Sequence, residues 1–219
     1  MKYFAFVFFS SLEYIAFIFF ILVLFRFGIR ENLVKFVVFS IVLSLVSNSL
    51  QSESLQAVSS LIQAVLMICF VAFFLRVHWL NAAIMVITGY VLNFIVQWTI
   101  IAVTLHFSGR QEIDPNTTDA YLIQTASAAV MFLFAVVTRL LKGGFSFIDQ
   151  DSRFRRSKVF ARENRPFAAF LLFSILATFV ANLLLGRQNP PYLAIAIVLF
   201  AAMIGLIYIC VKRDEQSHG

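Results

Sequence analysis

Long apolar runs separated by short polar stretches make up most of the chain. A helix that crosses a bilayer needs roughly 20 mostly apolar residues. On that length scale seven runs predict transmembrane helices: Phe4–Phe25, Leu33–Leu50, Leu55–Leu75, Trp79–Phe107, Ala120–Leu141, Phe167–Leu185 and Pro191–Val211. The second is short for a span, and the fourth is long enough to tilt. None alternates apolar and polar residues as barrel strands do. In hydrocarbon only helices or closed barrels satisfy the backbone. The predicted fold is therefore all-α: a polytopic transmembrane helical bundle, one transmembrane domain over residues 1–219 with a basic loop at 142–166. The first run reaches Phe25 without a small-x-small cleavage pattern, so a retained helix is expected and not a removed leader.

Composition agrees with the pattern. Of 219 residues, 61% are hydrophobic and 27 are Phe. Only 13% are charged, where a soluble domain carries about 25%. The mean hydropathy is +0.91. No water-soluble fold of this size hides so much apolar surface, whereas lipid is itself an apolar solvent. The net charge of +6 would point to nucleic acid in a soluble protein. Here the charges are confined to loops, so membrane topology accounts for them and nucleic acid is not an expected partner.

The loops set an orientation. With seven spans, Arg26, Arg30, Lys35, Arg76, Arg139, Lys142, the loop cations up to Arg165, Lys212 and Arg213 all fall on one side. Of the 17 basic residues only Lys2, Arg110 and Arg187 fall on the other. The positive-inside rule then puts the N-terminus outside and the C-terminus in the cytoplasm of a multi-pass cell-membrane protein. In the 142–166 loop, Gly143-Gly144 breaks the preceding helix. Arg153, Arg155, Arg156, Lys158 and Arg162 then alternate with Phe154, Val159 and Phe160. This segment is expected to touch lipid headgroups or a cytoplasmic partner, or to be an ordinary topology-setting loop. Asn116-Thr117-Thr118 is a formal glycosylation sequon, meaningful only in a eukaryotic secretory pathway.

Polar side chains inside a membrane helix are costly and face other helices or a cavity. Glu13 is the acidic residue near the middle of a span, and no Lys, Arg or His lies at similar depth to pair with it. Two readings stand for it: a proton or ligand site, or a hydrogen-bonding residue that joins helices. With the orientation above, Asn48, Gln51, Gln63, Gln97, Gln124 and Asn182 fall toward the outer halves of their helices, and Asn93 is expected to line the same pocket. The inner halves are largely Phe, Leu, Val and Ile. Convergent polar groups of this kind suit a pocket open to the outside; amide packing between helices would use the same residues. Ala194, Ala201 and Gly205 form a small-residue seam on the last helix, suited to close helix contact.

Catalysis finds no support. Cys69 and Cys210 lie in apolar runs outside any CxxC or His/Cys cluster, so no metal site is expected. His78 follows Cys69 by nine residues, about 13 Å along a helix and too far for a Cys–His pair. No serine-elbow or HExxH pattern is present. The expectation is a protein that is not an enzyme and has no cofactor.

The stretch Glu13–Ser49 and the run GGFSFID at Gly143–Asp149, within this layout of short loops, resemble a known family. It is the membrane sensor region of peptide-pheromone receptor histidine kinases of Gram-positive bacteria, of the accessory-gene-regulator and competence receptor types. The resemblance covers nearly the whole chain and rests on style and topology. It implies six or seven helices and recognition of an extracellular peptide. Those receptors continue into a dimerising helix and an ATP-binding kinase domain, whereas this sequence stops at Gly219. Either the chain is a stand-alone relative or a partner supplies the output. The leading expectation is a receptor-like or regulatory membrane protein that senses an extracellular small peptide or apolar ligand and signals to a cytoplasmic or membrane protein partner. A proton-coupled transporter, or a substrate-binding transporter subunit, is one alternative. A structural or assembly subunit of a membrane complex is the other.

Overall fold

The structure is a computed structural model that describes residues 2–50, 56–108, 117–146, 148, 169, 172–173, 176, 180 and 192–218. All regular structure among the described residues is helical: α1 (Lys2–Leu24), α2 (Leu33–Ser49), α3 (Gln56–Phe74), α4 (Trp79–Ser108), α5 (Thr118–Leu140) and α6 (Tyr192–His218). Helix dominates because apolar stretches this long close all their backbone hydrogen bonds internally. Among the described residues, three segments are long and apolar enough to cross a membrane: Tyr3–Leu24, Trp79–Leu105 and Thr118–Leu140. The apolar stretch of α2, Leu33–Ser49, is shorter, and α3 and α6 include the apolar stretches Leu61–Phe74 and Met203–Lys212. The sixth apolar run falls mostly outside the described residues. Within it Ala169, Leu172, Phe173, Leu176 and Val180 are helical and exposed, at the three-and-four spacing of one helix face.

The chain divides into two compact units, one of residues 1–53 with 93–144 and one of residues 54–92 with 145–219. The division falls within α4, which is a single continuous helix. In the first unit α1 packs most extensively on α5 and next on α2. The α1–α5 contacts advance together along both helices. Phe9 stacks on Tyr121, with ring centroids 5.0 Å apart, and Phe19 stacks on Phe132 at 4.8 Å. Beyond the C-terminus of α5, a Cβ added to Gly144 would lie 2.7 Å from the Leu24 carbonyl oxygen. The two helices therefore run parallel. Small buried residues on α5, Ser127, Ala128 and Ala135, allow the close approach. α5 also exposes Leu122, Leu133, Phe134 and Val137.

α1 and α5 end alike. The Phe27 amide donates to the Leu22 carbonyl and Arg26 to Val23, just as Gly143 donates to Thr138 and Lys142 to Arg139. This paired six-to-one and five-to-two pattern is the Schellman motif, whose C′ residue sits in the left-handed region. That residue is Arg26 in α1, at φ 55°, and Lys142 in α5, at φ 52°. Arg76, two residues beyond α3, has φ 54°. Glycine is the usual occupant, because an L side chain there costs roughly 1–2 kcal/mol. A cation at the negative end of a helix dipole returns part of that cost. At the start of α5, the Thr117 side chain caps the helix by accepting from the Ala120 amide, and Asp119 lies in its first turn.

In the second unit, Met67, Phe70 and Val71 of α3, Ala82, Ile84 and Met85 of α4, and Cys210 of α6 are buried. α6 exposes a long apolar face that includes Ile197, Phe200, Ile204 and Tyr208. Its final residues, Lys212–His218, are polar and still helical.

Candidate functional site

Glu13 is partly buried on α1, eleven residues into a span of 22. Its partners come from α4. The Gln97 amide donates to Glu13 Oε1 at 2.7 Å, and the Asn93 amide donates to the same oxygen at 3.4 Å. Asn93 and Gln97 are four residues apart and so share a face of α4. Because the carboxylate accepts, each amide must turn its nitrogen toward Glu13 and its oxygen away. This orientation leaves Asn93 Oδ1 buried and without a hydrogen-bond partner among the described residues.

One turn toward the N-terminus of α1, Ser10 accepts from the Gln124 amide of α5 at 3.4 Å. Gln124 Oε1 is likewise buried and unpartnered among the described residues, as is Ser127 Oγ one turn further along α5. Three helices thus bring polar groups together in the interior of the first unit. Its open positions are mostly acceptors. Buried polar atoms are normally paired, so each such atom marks strain, unseen water or a place for a ligand. The open amide oxygens can each accept a hydrogen bond from a further donor.

α2 adds further polar links to α1. Ser44 donates to the Val7 carbonyl at 2.8 Å, and Tyr14 and Ser47 share a hydrogen bond. Ser11 also donates to the Val7 carbonyl, at 2.6 Å, so this oxygen serves both helices. Asn48 lies next to Ser47 and is half-buried.

Of the sequence-predicted site, Glu13, Asn93 and Gln97 are joined directly, and Gln124 joins through Ser10 on the same helix as Glu13. Asn48 lies in the same unit but makes no bond to Glu13. Gln63 lies in the other unit, where its amide donates to Ser59 at 3.0 Å, one turn back within α3. Gln51, Asn182, Arg153, Arg155, Arg156, Lys158 and Arg162 lie outside the described residues. Sequence reasoning missed Ser10 and Ser127 as members. Their signal is the three-residue spacing from Glu13 and from Gln124.

The other end of the α1–α5 pair holds an open cleft of about 830 Å³. Arg26 crosses from α1 to the end of α5, donating from Nη2 to the Lys142 carbonyl at 3.0 Å and from Nε to the Gly143 carbonyl at 3.4 Å. Gly144, at φ 101°, seats the chain against the Leu24 carbonyl, where a side chain would collide.

The class defined by fold and site is thus an all-helical protein with apolar, membrane-length helices and a carboxylate–amide centre inside them. Comparison with protein families, with curated proteins and with solved structures finds no match for this chain.

Proposed function

We propose that the protein is a multi-pass cell-membrane receptor-like protein that binds a small peptide or apolar ligand from outside and signals to a cytoplasmic partner. The observation that carries this reading is the Glu13–Asn93–Gln97 centre, with buried acceptors on Asn93 and Gln124 still open. An apolar ligand with an amine or amide N–H would match those acceptors and displace little ordered structure. Binding there would alter how α1, α4 and α5 are tied together, which is a means of sending a signal along the helices.

The reading includes seven spans, with the N-terminus outside. The parallel course of α1 and α5 supports it through parity. If both cross the membrane in the same direction, an odd number of crossings lies between them. With α4 a span, α2 and α3 either both cross or neither does. Arg26, Arg76 and Lys142, the left-handed cations after α1, α3 and α5, share one side in either case, so they support the orientation, while the apolar lengths of α2 and α3 support both crossing.

A second reading, proton-coupled transport, draws on the mid-span position of the Glu13 carboxyl. It requires Glu13→Gln to abolish proton-driven uptake, while a receptor tolerates that change better than Gln97→Leu.

Two measurements test the proposal. Single cysteines at Asn116, Ser157 and Gln216, with Cys69 and Cys210 replaced, are labelled from outside with an impermeant thiol reagent. Labelling of the Asn116 variant alone is expected; labelling at Ser157 or Gln216 rejects the orientation. In detergent, a panel of short apolar peptides with free amino termini is screened by thermal unfolding. At least one is expected to stabilise the wild type and to lose that effect in Gln97→Leu. Equal stabilisation of both proteins, or of neither across the panel, rejects the site.

A further inference from the structure

The cleft at the ends of α1 and α5 is separate from the Glu13 centre. Arg26 lies thirteen residues beyond Glu13, which is about 20 Å at helical rise. Its volume of about 830 Å³ falls within the roughly 300–1,000 Å³ typical of ligand-binding clefts. Its wall carries four cations, Arg26, Arg30, Arg139 and Lys142, against one carboxylate, Glu31. We infer that this cleft is a binding site for a phosphate group, held by Arg30, Arg139 and Lys142 and braced by Arg26.

The cations are placed by the fold and not merely by sequence. Arg26 is fixed by its two bonds to the α5 terminus. Lys142 is held in the left-handed C′ position, and Arg139 stands in the last turn of α5. Arg30 comes from the connection between α1 and α2, so two segments more than 100 residues apart in sequence converge on one concavity. The net excess of three positive charges calls for an anion of more than one charge. A phosphate monoester carries about −1.5 to −2 at neutral pH. Two guanidinium forks match its oxygens in paired hydrogen bonds, and a lysine adds a point charge. Val23 and Phe27 on the same wall lower the local dielectric and strengthen those contacts.

The phosphate has two sources: an anionic phospholipid headgroup or a soluble phosphate monoester. If α1 and α5 are membrane spans, the cleft lies at headgroup level, and the lipid is the expected source. The test uses the full chain in mild detergent and reads the thermal unfolding midpoint. Phosphatidic acid, phosphatidylcholine, oleate and inorganic phosphate are added separately to the wild type, to an Arg30→Gln/Arg139→Gln double variant and to Lys142→Gln. A midpoint raised by phosphatidic acid but not by phosphatidylcholine or oleate, with most of the rise lost in the variants, supports the site. A rise with inorganic phosphate as well assigns it to soluble phosphate; its absence assigns it to lipid. Gln97→Leu is expected to keep the full rise. The inference is overturned if no phosphate compound raises the midpoint, if oleate matches phosphatidic acid, or if the variants respond as the wild type does. Lys142→Gln decides the matter should the double variant not fold.

Discussion

The α1–α5 pair is held in two different ways along its length. In its N-terminal half, side chains make the links: Gln124 to Ser10, with Glu13 close by and tied to α4 through Gln97 and Asn93. At its C-terminal end the links run to the backbone. Gly144 sits against the Leu24 carbonyl and Arg26 donates to the carbonyls that end α5. The first arrangement is surrounded by apolar side chains, where an unpaired polar group is costly and a pairing partner is therefore specific. The second is exposed, where side-chain bonds compete with water and shape carries more of the specificity. One region is suited to exchanging partners, and the other to staying closed.

The largest effect should fall on the backbone end. Gly144→Val places a β-branched side chain at φ 101° with its Cβ 2.7 Å from the Leu24 oxygen. A loss of about 3 kcal/mol or more is expected from strain and collision together. Denaturant titration in detergent measures it, and a change under about 0.5 kcal/mol would mean that α1 and α5 are not seated there. Next comes Glu13→Leu, which strands the Gln97 and Asn93 amides. It should cost about 1–3 kcal/mol, with Glu13→Gln recovering part because it keeps an acceptor. A Glu13→Leu protein as stable as wild type would remove the polar link between α1 and α4.

Arg26→Ala gives up two carbonyl bonds at an exposed position and should cost about 1 kcal/mol or less. Its effect and that of Glu13→Leu should add to within about 0.5 kcal/mol, because the sites are far apart and share no partner. A larger coupling in the double-mutant cycle would show that the two ends act as one. The smallest change is a gain. Lys142→Gly relieves the left-handed strain while keeping the carbonyl that Arg26 uses, and should stabilise by about 0.5 kcal/mol.

Some of the site was legible beforehand. Asn93 and Gln97 are four residues apart, and that spacing alone puts them on one helix face. Glu13 stood out as a carboxyl with no cationic partner. What could not be read was that the amides answer that carboxyl, since the bonded residues are 80 and 84 positions apart. Gln63 carried the same kind of signal as Gln97, yet it donates to Ser59 in its own helix. The break expected at Gly143-Gly144 is present, but α5 ends at Leu140 and the lysine before the glycines takes the left-handed position. Local preference assigns that position to glycine, and contacts with the end of α1 require glycine at 144 instead.

The positions of the first five helices followed closely from the sequence by itself, because run length is a local property that hydrocarbon or water reads directly, whereas the last helix continues to His218, past the predicted Val211. The clustering of cations at helix ends was local too. The parallel course of α1 and α5, the joining of Glu13 to α4, and the gathering of Arg30, Arg139 and Lys142 into one cleft belong to the tertiary structure alone. Each depends on which helix lies beside which. In a chain this uniformly apolar, many neighbours would bury Phe and Leu equally well, and a few polar bonds and one close backbone contact decide among them.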